Sequence, residues 1–223
     1  MELDHENHFL ARGYTQRVPP EYFVDIDDSG IIWQPDVYPV ALKAAYDHGC
    51  DVVIDLGCGR AGKLLELHES DLDMGIVGVD FGTNIDWCRA NLSVGTWLEA
   101  DLEHTVTLPL SAELIGRAVV VCSDVLEHLI DPRPTMQLIC WLLDQGAACA
   151  VLSTPARDKR VGAQHLGPPF NPSHVREWTR DEFQAFLQSF PISIQQFELT
   201  RSDDAGGGQT TQLVVLGPGP EPT

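Results

Sequence analysis

Residues 52–62 read Val-Val-Ile-Asp-Leu-Gly-Cys-Gly-Arg-Ala-Gly, an apolar run that ends in an acid and enters three glycines. Gly57, Gly59 and Gly62 let the chain turn tightly and approach a ligand with no Cβ in the way, and a following helix offers unpaired N–H groups. The G-x-G-x-x-G spacing fits a dinucleotide loop. Asp55, two residues before the first glycine, points elsewhere: its carboxylate would face the pyrophosphate of NAD, but would attract the ammonium of an amino-acid ligand. A second chemistry-bearing run is Cys122-Ser123-Asp124-Val125-Leu126-Glu127-His128. If it turns helical, Asp124 shares a face with Glu127 and His128, three and four residues on, so two carboxylates and an imidazole meet. The bland alternative is a helix cap at Asp124 and a backbone hydrogen bond for His128. A third run, from His165 through His174 and Trp178 to Phe183, is a Pro-rich connection of the length of a loop that covers a site.

Strands alternating with helices must position these groups, which predicts a mostly parallel sheet covered on both faces. Pro35 and Gly49 bracket a helix over 35–48. Val52–Asp55 reads as the first strand, with a helix over Lys63–His68 after the glycines. Ile76–Asp80 is the second strand, followed by a helix capped at Thr83 or Asn84. Thr96–Ala100 is a weak third strand, ending at Asp101. Ala118–Cys122, five small or β-branched apolar residues, predicts a central fourth strand. Asp131 and Pro132 open a further helix as cap and first residue, and Ala147–Leu152 is the fifth strand. Thr179 with Glu182 forms a capping box for a helix ended by Pro191. Ile192–Leu199 and Thr211–Leu216 read as a closing antiparallel hairpin. The division is a leader over 1–34, one domain over 35–216 and a disordered tail over 217–223.

The 223 residues suit one medium domain, and 43% apolar content suffices for a packed core. No apolar run approaches the ~18 residues that cross a bilayer, and the start lacks the pattern of a secretory signal, so a cytoplasmic protein is expected. Cysteines 50, 58, 88, 122, 140 and 149 show no C-x-x-C pairing and read as buried thiols. A net charge of −19 makes nucleic acid and anionic membranes poor partners. Arg157, Lys159 and Arg160 are the one local cluster that could meet an anionic substrate.

From Pro35 to Leu216 the order of motifs resembles that of the class I S-adenosylmethionine (SAM) methyltransferases. The resemblance implies a Rossmann-like α/β fold with a seven-stranded, mostly parallel sheet. It also implies SAM as cofactor: Gly57 and Gly59 along its methionine portion, Asp55 at its amino group, Asp80 on the ribose hydroxyls, and Asp101 with Leu102 at the adenine. Asp124 joins this cofactor-binding set. NAD binding is the alternative for the glycine loop, and it leaves Asp55 and the 122–128 run without a role.

Metal-dependent 2′-O-methyltransferases of small RNA ends carry Glu-x-x-Glu-His after the fourth strand and a later His before Glu-Trp-Thr. This chain is similar, with Asp124 in place of the first Glu, and Glu127, His128 and His174 in corresponding positions. The resemblance implies that Asp124, Glu127, His128 and His174 hold Mg²⁺ or Mn²⁺ against sugar hydroxyls. Asp is one methylene shorter than Glu, so metal-free catalysis stays open, with His128 and then His174 as the base; His165 orders the lid. Trp33, Tyr38, Phe170 and Trp178 are candidate pocket walls, and Gln34 a candidate contact. The expected activity is O-methylation of a hydroxyl on a sugar, glycan or other small molecule, Trp178 offering a stacking face. The alternatives are a natural-product or quinone-like phenol as acceptor, or a non-catalytic SAM binder.

Overall fold

A computed structural model describes residues 2–21 and 30–220. After a short hairpin of β1 (Leu3–Asp4) and β2 (Leu10–Ala11), the chain alternates helix and strand. The order is α1 (Val37–His48), β3 (Val52–Leu56), α2 (Gly62–Ser70), β4 (Gly75–Asp80), α3 (Gly82–Asn91), β5 (Thr96–Glu99), α4 (Ala112–Ile115), β6 (Ala118–Ser123), α5 (Arg133–Asp144) and β7 (Ala150–Pro155). It closes with α6 (Arg157–Arg160), α7 (Arg180–Gln188), β8 (Ile192–Arg201) and β9 (Gln209–Pro218). The sheet order is β5-β4-β3-β6-β7-β9-β8; β5 to β7 pair in parallel, and β9 runs antiparallel to both β7 and β8. This is the expected Rossmann-like seven-stranded sheet with a terminal antiparallel hairpin.

Two-residue alternation along the strands divides the core into two layers. Val53, Val119, Val121 and Val151 face Val37, Ala41 and Ala45 of α1 with Leu64 and Leu67 of α2. Ile54, Leu56, Val120, Cys122 and Leu152 face Met136, Ile139 and Leu142 of α5 and Phe183, Phe186 and Leu187 of α7. The central strands are buried along their lengths, which is why they read as continuous apolar runs. Between β3 and β6 the chain order reverses direction across the sheet, and the carboxyl ends there open the crevice where α/β sheets take ligands.

The structure differs from expectation in places. The 124–128 run forms a turn rather than a helix, because Asp124 sits at φ +52°. The helix after β4 starts at Gly82 with Phe81 as its cap residue, so neither Thr83 nor Asn84 caps it. Pro132, not Asp131, is the cap residue of α5. β7 begins at Ala150, three residues later than expected, and β9 continues to Pro218. Residues 1, 22–29 and 221–223, parts of the expected leader and tail, lie outside the described residues. The Thr179–Glu182 capping box is present in full, and all six cysteines are free and buried.

Candidate functional site

β3 delivers Asp55 to the crevice, and the glycine loop turns immediately after it. Gly57 (φ +78°), Gly59 (φ +57°) and Ala61 (φ +62°) are all left-handed, which folds residues 57–61 back over the strand end. A Cβ on Gly57 would lie 2.4 Å from Val125 Cγ2, so the glycine is also required by contact with the 124–128 turn. Asp80, at the end of β4, accepts from Gly59 N–H at 2.8 Å through Oδ2 and from Phe81 N–H at 2.7 Å through Oδ1.

Asp55 is 1% exposed; its Oδ2 accepts from the Tyr38 hydroxyl at 2.6 Å, while Oδ1 is buried without a partner. Burial pushes its pKa up to about 7, opposed by the Tyr38 bond and the nearby Lys63 ammonium and reinforced by Asp80. Lys63 Nζ is tied to the Trp33 carbonyl at 3.0 Å and Gln34 Oε1 at 3.4 Å, so Gln34 anchors a lysine beside the site. Asp101 follows β5 as an exposed residue whose Oδ1 accepts from Glu103 N–H. Leu102 is buried in the core, its carbonyl taking the Thr135 hydroxyl at 2.8 Å.

The second constellation lies at the carboxyl ends of β6 and β7. Ligand atoms of Glu127, His128 and His174 lie within 4.8 Å of one another, and the two imidazoles meet edge to face at 4.7 Å. His128 Nδ1 is 2.9 Å from the Ser173 carbonyl, and His174 Nδ1 is 2.8 Å from Glu177 Oε1. Each Nδ1 therefore carries the proton, leaving Nε2 as the lone-pair nitrogen. Burial, then the neighbouring His174, lowers the His128 pKa to about 3. Glu127 is fully buried; Oε2 accepts from Thr154 at 3.1 Å, and Oε1 has no partner. Burial and the Asp124 charge push its pKa well up. Among the described residues this three-residue group excludes Asp124, whose left-handed backbone and bond from Ser153 Oγ (3.0 Å) turn its carboxylate toward β7. The expected four-residue set is three here, with Asp124 a half-buried carboxyl beside it whose pKa desolvation raises above its ordinary value.

Other expectations need correction. Trp178 is fully buried, with Nε1 donating to the His8 carbonyl, so it is core rather than a stacking face. Arg157 is fully buried against Glu182 at 2.6 Å and cannot meet an anionic substrate. Phe170 is 76% exposed and stands 5.1 Å from the His165 ring, an aromatic pair at the loop surface. The groups that sequence reasoning missed form the outer layer: Glu177, Asn171, Ser153 and Thr154, each bonded to a residue named above. Glu177 was three residues from His174 in plain view, but with no helix between them the spacing carried no signal.

The chain matches no protein-family model and no curated protein. Among solved structures it is similar to the methyltransferase domain of bacterial CtHen1-C, at 22% identity and TM-score 0.58 over 82% of this chain and 97% of that one. It is also similar to the small RNA methyltransferase HEN1, at 18% identity and TM-score 0.60 over 83% of this chain and 25% of that one. A third is human N-acetylserotonin methyltransferase in complex with SAM, at 15% identity and TM-score 0.54 over 82% of this chain and 52% of that one. The fold is that of the class I SAM-dependent methyltransferases.

The residues present fit the groups this fold implies. An unpartnered carboxylate oxygen on Asp55, at the end of β3 beside the left-handed loop of Gly57 and Gly59, suits an ammonium. An unpartnered oxygen on Glu127 beside two imidazoles suits a divalent cation of intermediate softness, Mn²⁺ better than Mg²⁺.

Proposed function

We propose that this protein is a SAM-dependent O-methyltransferase that acts on a sugar hydroxyl. The observation that carries the reading is the pair of unpartnered buried oxygens, Asp55 Oδ1 and Glu127 Oε1, at the carboxyl ends of neighbouring strands. Asp55 would bind the ammonium of SAM, the loop of Gly57 and Gly59 its methionine portion and Asp80 its ribose diol, with Asp101 and Leu102 toward the adenine. SAM supplies a methyl already activated on a sulfonium. The chain's task is then to align an acceptor oxygen with that carbon, and alignment alone contributes up to ~7–11 kcal/mol in well-oriented reactions. Glu127, His128 and His174 would hold a divalent ion that supplies Lewis acidity to the acceptor hydroxyl. Phe170 is the exposed aromatic beside this loop that a sugar ring could pack on.

A second reading has a specific observation behind it. Two of the similar folds are Hen1 methyltransferase domains, one described as acting on small RNA, so the sugar could be a terminal ribose. The −19 charge favours a small acceptor instead.

Calorimetry with SAM, S-adenosylhomocysteine and NADH tests the cofactor: heat is expected with the first two, and tight NADH binding or silence with SAM overturns the reading. Methyl-labelled SAM with sugar, RNA and phenolic acceptors then assigns the acceptor. His128→Ala and His174→Ala should abolish label transfer and leave SAM affinity nearly intact, and full transfer in EDTA removes the ion.

A further inference from the structure

We infer that Glu177 is the positioning residue that fixes the His174 ring and thereby sets this site's affinity for a divalent cation. The inference rests on the metal reading above and adds a residue to it. The Glu177 and His174 side chains are 5% and 6% exposed, and Oε1 of one lies 2.8 Å from Nδ1 of the other. An imidazole whose Nδ1–H is held by a carboxylate has one tautomer and one ring plane, and its Nε2 is the stronger donor for it. Asn171 Nδ2 stands 2.9 Å from His174 Nε2 and donates into that lone pair, so a cation takes this place by displacing the amide.

Glu177 is itself clamped at three points. Its N–H donates to the Tyr14 hydroxyl at 3.0 Å, its carbonyl accepts from Arg157 Nη1 at 3.0 Å, and Oε1 also accepts from Arg160 Nη1 at 3.0 Å. The N-terminal segment and α6 thus hold a carboxylate whose Oε1 is shared between Arg160 and one histidine nitrogen. His128 Nδ1 meets a neutral carbonyl at 2.9 Å, that of Ser173, where His174 Nδ1 meets a carboxylate. Glu177 is therefore the charged anchor of the pair, and the one whose loss the cation should register. A packing role alone would not require a buried carboxylate at hydrogen-bond distance from a ring that faces a second ring and an acid with one unpartnered oxygen.

The test uses the full chain with Mn²⁺ followed by calorimetry and electron paramagnetic resonance, and Co²⁺ followed by visible absorption. Glu177→Gln keeps an acceptor for Nδ1–H and drops the charge; it should weaken Mn²⁺ binding about tenfold, and Glu177→Ala about a hundredfold. Both should alter the Co²⁺ spectrum, which a distant packing defect would leave alone, and both should bind SAM as the parent does. Should Glu177→Ala fail to fold, the isosteric Gln variant decides. Mn²⁺ affinity and a Co²⁺ spectrum unchanged in the Gln variant overturn the positioning role. If the unaltered protein binds neither Mn²⁺ nor Co²⁺, the metal reading itself fails, and the inference falls with it.

Discussion

The two oxygens of Asp55 differ: Oδ2 takes the Tyr38 hydroxyl, and Oδ1 is buried with nothing to accept. Such a carboxylate resists ionisation, which is why its pKa moves from the ordinary 3.8 to about 7. Between those two values the unfolded chain has released a proton that the folded chain still holds. The ligand-free protein therefore loses stability as pH rises through this window. An ammonium opposite Oδ1 would reverse the preference and draw the proton off. Asp55→Asn should accordingly flatten part of the decline in thermal midpoint between pH 4 and 7, as a difference from the parent scanned in the same buffers. It should also weaken SAM by ~1.5–3 kcal/mol, the range for hydrogen bonds to charged groups. Parallel pH profiles for the two proteins, or unchanged SAM affinity, would contradict the assignment. Asp80 has no such asymmetry, since the loop N–H groups already share both its oxygens.

At the scale of elements, the loop between β3 and α2 and the turn after β6 are one packed unit. Gly57 is where they touch, with positive φ and no space for a Cβ against Val125. Gly57→Ala should destabilise the protein by ~1–3 kcal/mol, measured by urea unfolding, because a left-handed alanine and a steric overlap both cost energy. Val125→Ala in the same chain should recover the overlap portion and leave the backbone portion. Full recovery, or none, would show that one of the two effects is absent. The same pair explains what could be read in advance. The parallel strands were legible because burial on both faces writes them as apolar runs, and Thr179 with Glu182 announced its helix through two reciprocal hydrogen bonds. The geometry of residues 124–128 was not legible, because a helical i, i+3, i+4 pattern and a turn with left-handed Asp124 share one sequence. Glu127 and His128 nonetheless reach the site, since a turn also places adjacent side chains near one edge. The short β1–β2 hairpin and its grip on α7, where Ala11 N–H donates to Glu182 Oε1 at 2.8 Å, had no local periodicity to reveal it.

For the molecule as a whole, the question set by a charge of −19 is where its fourteen cations lie. Most are paired with acids: Arg12 with Glu2, Lys43 with Asp47, Arg89 with Glu99, Arg117 with Asp51, Arg133 with Asp131 and Arg201 with Asp36. Arg157, Lys159 and Arg160 pair with Glu182, Asp158 and Glu177. The remainder bond to carbonyls or lie over rings: Arg17 on Pro169, Lys63 on Trp33, Arg176 on Leu129 and Ile130, Arg180 on Phe197, and Arg60 over Trp87. A polyanion would have to break these pairs as well as overcome the net field, while nucleic-acid affinity is built mainly from cations that neutralise phosphates. Fluorescence anisotropy with a labelled single-stranded RNA should therefore show weak binding even at low salt. A neutral sugar acceptor, drawn by no long-range field, should bind with little change as salt is raised across several Debye lengths. Tight RNA binding that falls steeply with salt would instead mean that the internal pairs open for phosphate, and the terminal-ribose reading would then replace the small-acceptor one.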